Sequence, residues 1–103
     1  MSVECAKNVK MSTMELGGHD PFIVLKDADL ELAVNCAYIS RTINSGQACN
    51  NAKRFIITSK VYDEFRDRLI EKIKSTAVVG DPMDRAVNIG PLSSVKQRDI
   101  LRD

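Results

Sequence analysis

A four-residue apolar run, Phe22-Ile23-Val24-Leu25, constrains the fold more than any other stretch of the chain. Pro21 and Lys26-Asp27 bound it, so it has strand length. A run that is apolar at every position suits a strand covered on both faces, as in a parallel sheet. From Ala28 to Asn44 the apolar positions Leu30, Ala33, Val34, Ala37 and Tyr38 recur at helical spacing, with Asp27 or Asp29 as N-cap and Gly46 beyond the end. Arg54-Phe55-Ile56-Ile57-Thr58 reads as the next strand, and Ser59 opens a second helix through about Ser75. Its face is Tyr62, Phe65, Leu69 and Ile73, while Glu64 and Arg68 can pair across one turn. Residues 1–10 read as the polar end of a helix, and Met11–Leu16 as a short extended segment. Gly80-Asp81-Pro82 breaks the chain, Ile89-Gly90-Pro91-Leu92 is a turn, and Ser94 caps a final helix. Strand, helix, strand, helix in this rhythm predicts an α/β fold with parallel strands. Two or three such strands rarely stand alone, because both faces need cover, so the pattern reads as a partial parallel-sheet domain.

Composition narrows the function. Fifteen Lys and Arg against fourteen Asp and Glu leave a net charge of +1, which argues against binding to nucleic acid or an anionic membrane surface. No apolar run approaches the roughly 20 residues of a bilayer span, and MSVECAKNVK lacks the apolar centre of a signal peptide, so a cytoplasmic location is expected. Cys5, Cys36 and Cys49 are odd in number and widely spaced, which fits that compartment and speaks against a disulfide framework. With no CxxC and His19 as the only histidine, a metal site is not expected. The HExxH, GxSxG, Walker A and GxGxxG patterns are absent as well.

Cys49 is the residue most open to chemistry. It lies just past a helix in Asn44-Ser45-Gly46-Gln47-Ala48-Cys49-Asn50-Asn51, where exposed backbone amides can favour a thiolate and bind a developing oxyanion. The bland reading makes all three cysteines inert small hydrophobes, with Cys36 inside its helix and Cys5 near a terminus. Gln47-Ala48-Cys49 also matches the start of the caspase signature, but Asn50-Asn51 follows it and His19 lies only 30 positions upstream, so that match fails. His19 reads as a surface residue. Glu15 stands in Met14-Glu15-Leu16-Gly17-Gly18, where an extended segment meets a glycine turn. Such a carboxylate either points into a cleft to activate water or is simply solvated. Met11 and Met14 read as core filler rather than cofactor contacts.

Taken together these stretches resemble the aldehyde dehydrogenase superfamily. Glu15-Leu16-Gly17-Gly18, with Asp20-Pro21-Phe22-Ile23-Val24-Leu25 and Asp27-Ala28-Asp29-Leu30 after it, is similar to the family's general-base signature. Gly46-Gln47-Ala48-Cys49 is similar to its nucleophile motif, and the 34 residues from Glu15 to Cys49 match the family's spacing. Ala52-Lys53-Arg54-Phe55-Ile56, Gly80-Asp81-Pro82-Met83-Asp84 and Ile89-Gly90-Pro91-Leu92-Ser93 resemble the strand and two turns downstream, in register. The Ala-Lys-Arg-Phe-Ile and Gly-Asp-Pro-Met-Asp stretches are nearest to the succinate-semialdehyde dehydrogenase branch. His19 departs from the family's usual lysine.

The resemblance implies a parent enzyme that oxidises a small-molecule aldehyde to a carboxylic acid with NAD or NADP. It implies Cys49 as nucleophile, Glu15 as general base, and Leu16 and Gly17 near the nicotinamide. It also implies that residues 1–18 end the cofactor-binding domain, that residues 19–103 begin the catalytic domain, and that the parent is a homo-oligomer. The family's side-chain oxyanion donor, its dinucleotide-binding turn and its ribose-holding Glu-Phe-Gly-Pro motif fall outside these residues. The chain therefore reads as an internal fragment, with Met1 either an internal methionine or the start of a truncated frame. Two alternatives follow: the isolated chain is a non-catalytic product or interaction module, or it keeps an esterase activity that needs only Cys49 and Glu15.

Overall fold

A computed structural model describes residues 1–102. The elements run α1 (Ser2–Lys7), β1 (Asp20–Val24), α2 (Leu30–Thr42), β2 (Ala52–Ile57), α3 (Ser59–Thr76) and α4 (Val95–Arg102), with a 3₁₀ turn at Ile43–Gly46. β1 and β2 pair in parallel, Phe22 beside Phe55 and Val24 beside Ile57, with one slip of register between Asp20 and Pro21. The α/β expectation holds.

Local chemistry explains the helix limits. The Asp29 carboxylate accepts the Glu31 and Leu32 amides at 3.0 and 3.1 Å, which makes Asp29 the N-cap of α2. Ser94 Oγ accepts the Gln97 amide at 3.2 Å and starts α4. α2 and α3 pack together over one face of the sheet. There Val24, Val34, Ala37 and Phe65 form the core, with Phe22, Ala33, Phe55, Ile57, Val61 and Leu69 against it. The Glu64–Arg68 pair forms on the outer side of α3.

Four expectations change. β1 is covered on one face only: Val24 is buried while Ile23 is 61% exposed, because both packing helices lie on the same side. Tyr62 and Ile73 lie at the exposed edge of α3, and the buried line is Val61, Phe65 and Leu69. Residues 10–19 run without strand pairing, and Met11 is fully exposed rather than core filler. Downstream, Val79 and Ile89 form a small parallel bridge that Gly80 completes by donating to the Ile89 carbonyl at 3.1 Å, so the Gly80 break is part of a structured crossing.

Candidate functional site

The site is built where α2 ends. Asn44 (φ 52°, ψ 39°) and Ser45 (φ 56°, ψ 29°) take left-handed backbone conformations, and Gly46 follows at φ 77°. Left-handed geometry costs an L-residue about 1–2 kcal/mol, so the surroundings must hold this turn in place. Gly46 is required on two counts: its φ is positive, and a Cβ would stand 3.2 Å from the Arg41 carbonyl.

Three sets of contacts fix the loop that carries Cys49. Asn51, 1% exposed, accepts the Ala48 amide and donates to the carbonyls of Ser40 at 2.8 Å and Ile43 at 3.3 Å. Its amide therefore joins the end of α2 to the residue before the thiol. Gln47 reaches the downstream turn, donating to the Pro91 carbonyl at 3.3 Å and accepting the Ser93 amide at 2.7 Å. Ser45 Oγ accepts the Gly90 amide at 3.0 Å. Lys53, the second residue of β2, points its ammonium back at the loop and donates to the carbonyls of Gly18 (2.7 Å), Cys49 (3.1 Å) and Ala48 (3.3 Å).

Cys49 is exposed and lies in an open cleft of about 310 Å³ lined by Leu16, Gly17, Gly46, Gln47, Ala48 and Lys53. A neighbouring cleft of about 200 Å³ joins Leu16, Gly17, Gly18, Asp20, Cys49 and Asn50. The segments predicted to hold the base and the nucleophile thus meet: the Cβ position of Gly18 is 3.2 Å from the Cys49 carbonyl oxygen. Leu16 and Gly17 share both clefts with Cys49, whereas Glu15 is exposed and stands outside their lining. A Cβ on Gly17 would meet no protein atom within 4 Å, so the space above that residue is open to a bound group.

Cys36 faces solvent on α2 and Cys5 is half-buried, so neither is a core hydrophobe. His19 is exposed, and its carbonyl accepts Arg54 Nε at 2.9 Å. Among the described residues, no three His, Cys, Asp or Glu side chains converge to hold a metal, and no helix is long and apolar enough to cross a membrane. Asn51 and Lys53 carry much of the loop's architecture, and neither stands out in the sequence. The only available signal is that three amide- or amine-bearing residues, Asn50, Asn51 and Lys53, follow Cys49 closely.

The Aldehyde dehydrogenase family profile matches residues 1–103. The chain is 47% identical over 91 residues to a succinate-semialdehyde dehydrogenase [NADP(+)] of Mycobacterium avium, a match covering 88% of this chain and 19% of that protein. Its fold superimposes on an aldehyde dehydrogenase from Brucella melitensis biovar abortus with a TM-score of 0.92 at 39% identity, covering 98% of this chain and 21% of that one. The lactaldehyde dehydrogenase of Escherichia coli matches with a TM-score of 0.88 at 41% identity, covering 95% and 20%. The chain spans about a fifth of the length of the relatives it matches.

Proposed function

The chain belongs to the aldehyde dehydrogenase family, and from that premise we propose that it carries the chemical centre of an NAD(P)-dependent aldehyde oxidoreductase. The observation that carries this reading is the meeting of the Leu16-Gly17-Gly18 segment with Cys49 at one open cleft. In this reading residues 1–18 end the cofactor-binding domain and residues 19–103 begin the catalytic domain. The 47% identity to a succinate-semialdehyde dehydrogenase supports a small aldehyde of that class as the parent's substrate.

The mechanism follows from the residues present. The Cys49 thiolate attacks the aldehyde carbon and forms a C–S bond, and the Cys49 backbone amide steadies the resulting oxyanion. Leu16 and Gly17 line the cleft beside Cys49 and would flank the nicotinamide there, and no protein atom stands within 4 Å of the Cβ position of Gly17. A bound NAD(P) would supply the hydride acceptor for the substrate carbon. Glu15, one residue from the cleft, then takes a proton from the water that hydrolyses the Cys49 thioester. The carboxylic acid leaves and the thiolate is regenerated.

Aldehyde-dependent NAD(P)H formation by the full natural polypeptide carrying these residues tests the proposal, with succinic semialdehyde and lactaldehyde as substrates. Cys49→Ser is expected to reduce turnover to background; normal turnover in that variant would refute the assignment. A second reading concerns the 103 residues alone. They span about a fifth of their relatives, which supports an isolated chain without hydride transfer that retains at most ester cleavage at Cys49.

A further inference from the structure

Lys53 donates to three backbone carbonyls, and an ammonium has three N–H donors and no acceptor, so its hydrogen-bonding capacity is fully used. Two of the carbonyls, those of Ala48 and Cys49, belong to the nucleophile loop, and the third, of Gly18, belongs to the segment that follows Glu15. Among the described residues Lys53 has no carboxylate partner. The two sides of this bridge are not equally secured. The nucleophile loop is also held by Asn51, by Gln47 and by Ser45. Residues 10–19 have no regular structure, and their other side-chain tie to β2 is the bond from Arg54 to the His19 carbonyl. Removing the ammonium would therefore free the Glu15 side far more than the thiol side.

We propose that Lys53 is a positioning residue that sets the separation between Glu15 and Cys49, and so governs hydrolysis of the acyl-enzyme rather than its formation. The inference rests on the roles proposed above for those two residues. Acylation needs only the thiolate: with p-nitrophenyl acetate, sulfur bonds to the acyl carbon, the C–O bond breaks and p-nitrophenolate leaves. Deacylation needs a water held between the carboxylate and the thioester: Glu15 takes the water's proton, the C–O bond forms and the C–S bond breaks. Neither step uses an oxidant.

The experiment separates the two steps in the full natural polypeptide, without cofactor, by stopped-flow release of p-nitrophenolate. In Lys53→Met, which keeps the stem but loses the donors, the burst is expected to persist with its rate within about threefold. The slow phase is expected to fall about tenfold to a hundredfold, the scale of a misplaced reacting group. Lys53→Arg, which can still span two carbonyls, should recover most of the slow phase. Equal losses in burst and slow phase, or no change in either, would overturn the proposal. If Lys53→Met lacks a folding transition, Lys53→Gln carries the same comparison. A wild type without a burst, or a burst that survives Cys49→Ser, would instead overturn the reading of Cys49 and this proposal with it. A normal slow phase in Glu15→Gln would do the same for the reading of Glu15.

Discussion

Replacing Asn51 by leucine, of similar volume, isolates what one buried amide does for the loop that carries Cys49. Asn51 is 1% exposed, and its side chain serves the Ala48 amide and the carbonyls of Ser40 and Ile43. Each such bond contributes about 1 kcal/mol net, and a buried group left unpaired costs about 1–3 kcal/mol. Ile43 is an exposed residue, whereas Ala48 and Ser40 are half-buried, so the Ala48 amide and the Ser40 carbonyl are the two groups counted as stranded. Two stranded groups then give an expected loss of about 2–6 kcal/mol. With a urea dependence of about 1–3 kcal/mol per molar, the denaturation midpoint should fall by about 0.7 M or more at unchanged slope. Equilibrium urea denaturation followed by far-ultraviolet circular dichroism measures this, and native-state amide exchange at Ala48 should accelerate in parallel. A midpoint within about 0.3 M of wild type, with Ala48 still protected, would show that the amide network does not hold the loop.

Two further substitutions probe the frame around that loop. Gly46→Ala must hold a Cβ at φ 77°, 3.2 Å from the Arg41 carbonyl, and should cost about 1–2 kcal/mol in the same denaturation assay; an unchanged midpoint would contradict the left-handed turn. Phe65→Ala opens a cavity between α3 and the Val24, Val34 and Ala37 cluster and should cost about 3–5 kcal/mol, whereas Tyr62→Ala, at the exposed edge of the same helix, should cost under about 1 kcal/mol.

Helix α2 was legible because its apolar residues keep helical spacing and Asp29 is a capping residue placed just before the first turn. The parallel pairing was legible for a similar reason, in β-branched and aromatic runs separated by one helix. Periodicity fixes a stripe on a helix but not its rotation against the core, which is why Val61 rather than Tyr62 and Ile73 flanks Phe65. It also cannot say which face of a sheet the chain itself covers, and Ile23 and Ile56 lie on the uncovered side. At the site, Cys49, Leu16 and Gly17 were visible as motif residues and do meet in one cleft. Asn51 and Lys53 were not, because their partners are carbonyls of Ser40, Ile43, Gly18, Ala48 and Cys49. Every residue except for its side chain carries the same carbonyl, so such partners leave no trace in sequence.

The bonds from Gln47 and Ser45 to Gly90, Pro91 and Ser93 join positions 44 to 46 residues apart. That separation imposes an order on biogenesis. During synthesis α2, β2 and α3 can form from local contacts and short-range packing, but the turn carrying the thiol cannot be clamped until Ser93 has left the ribosome. The Cys49 loop is thus among the last features of this region to take its final shape, long after Cys49 itself has been made.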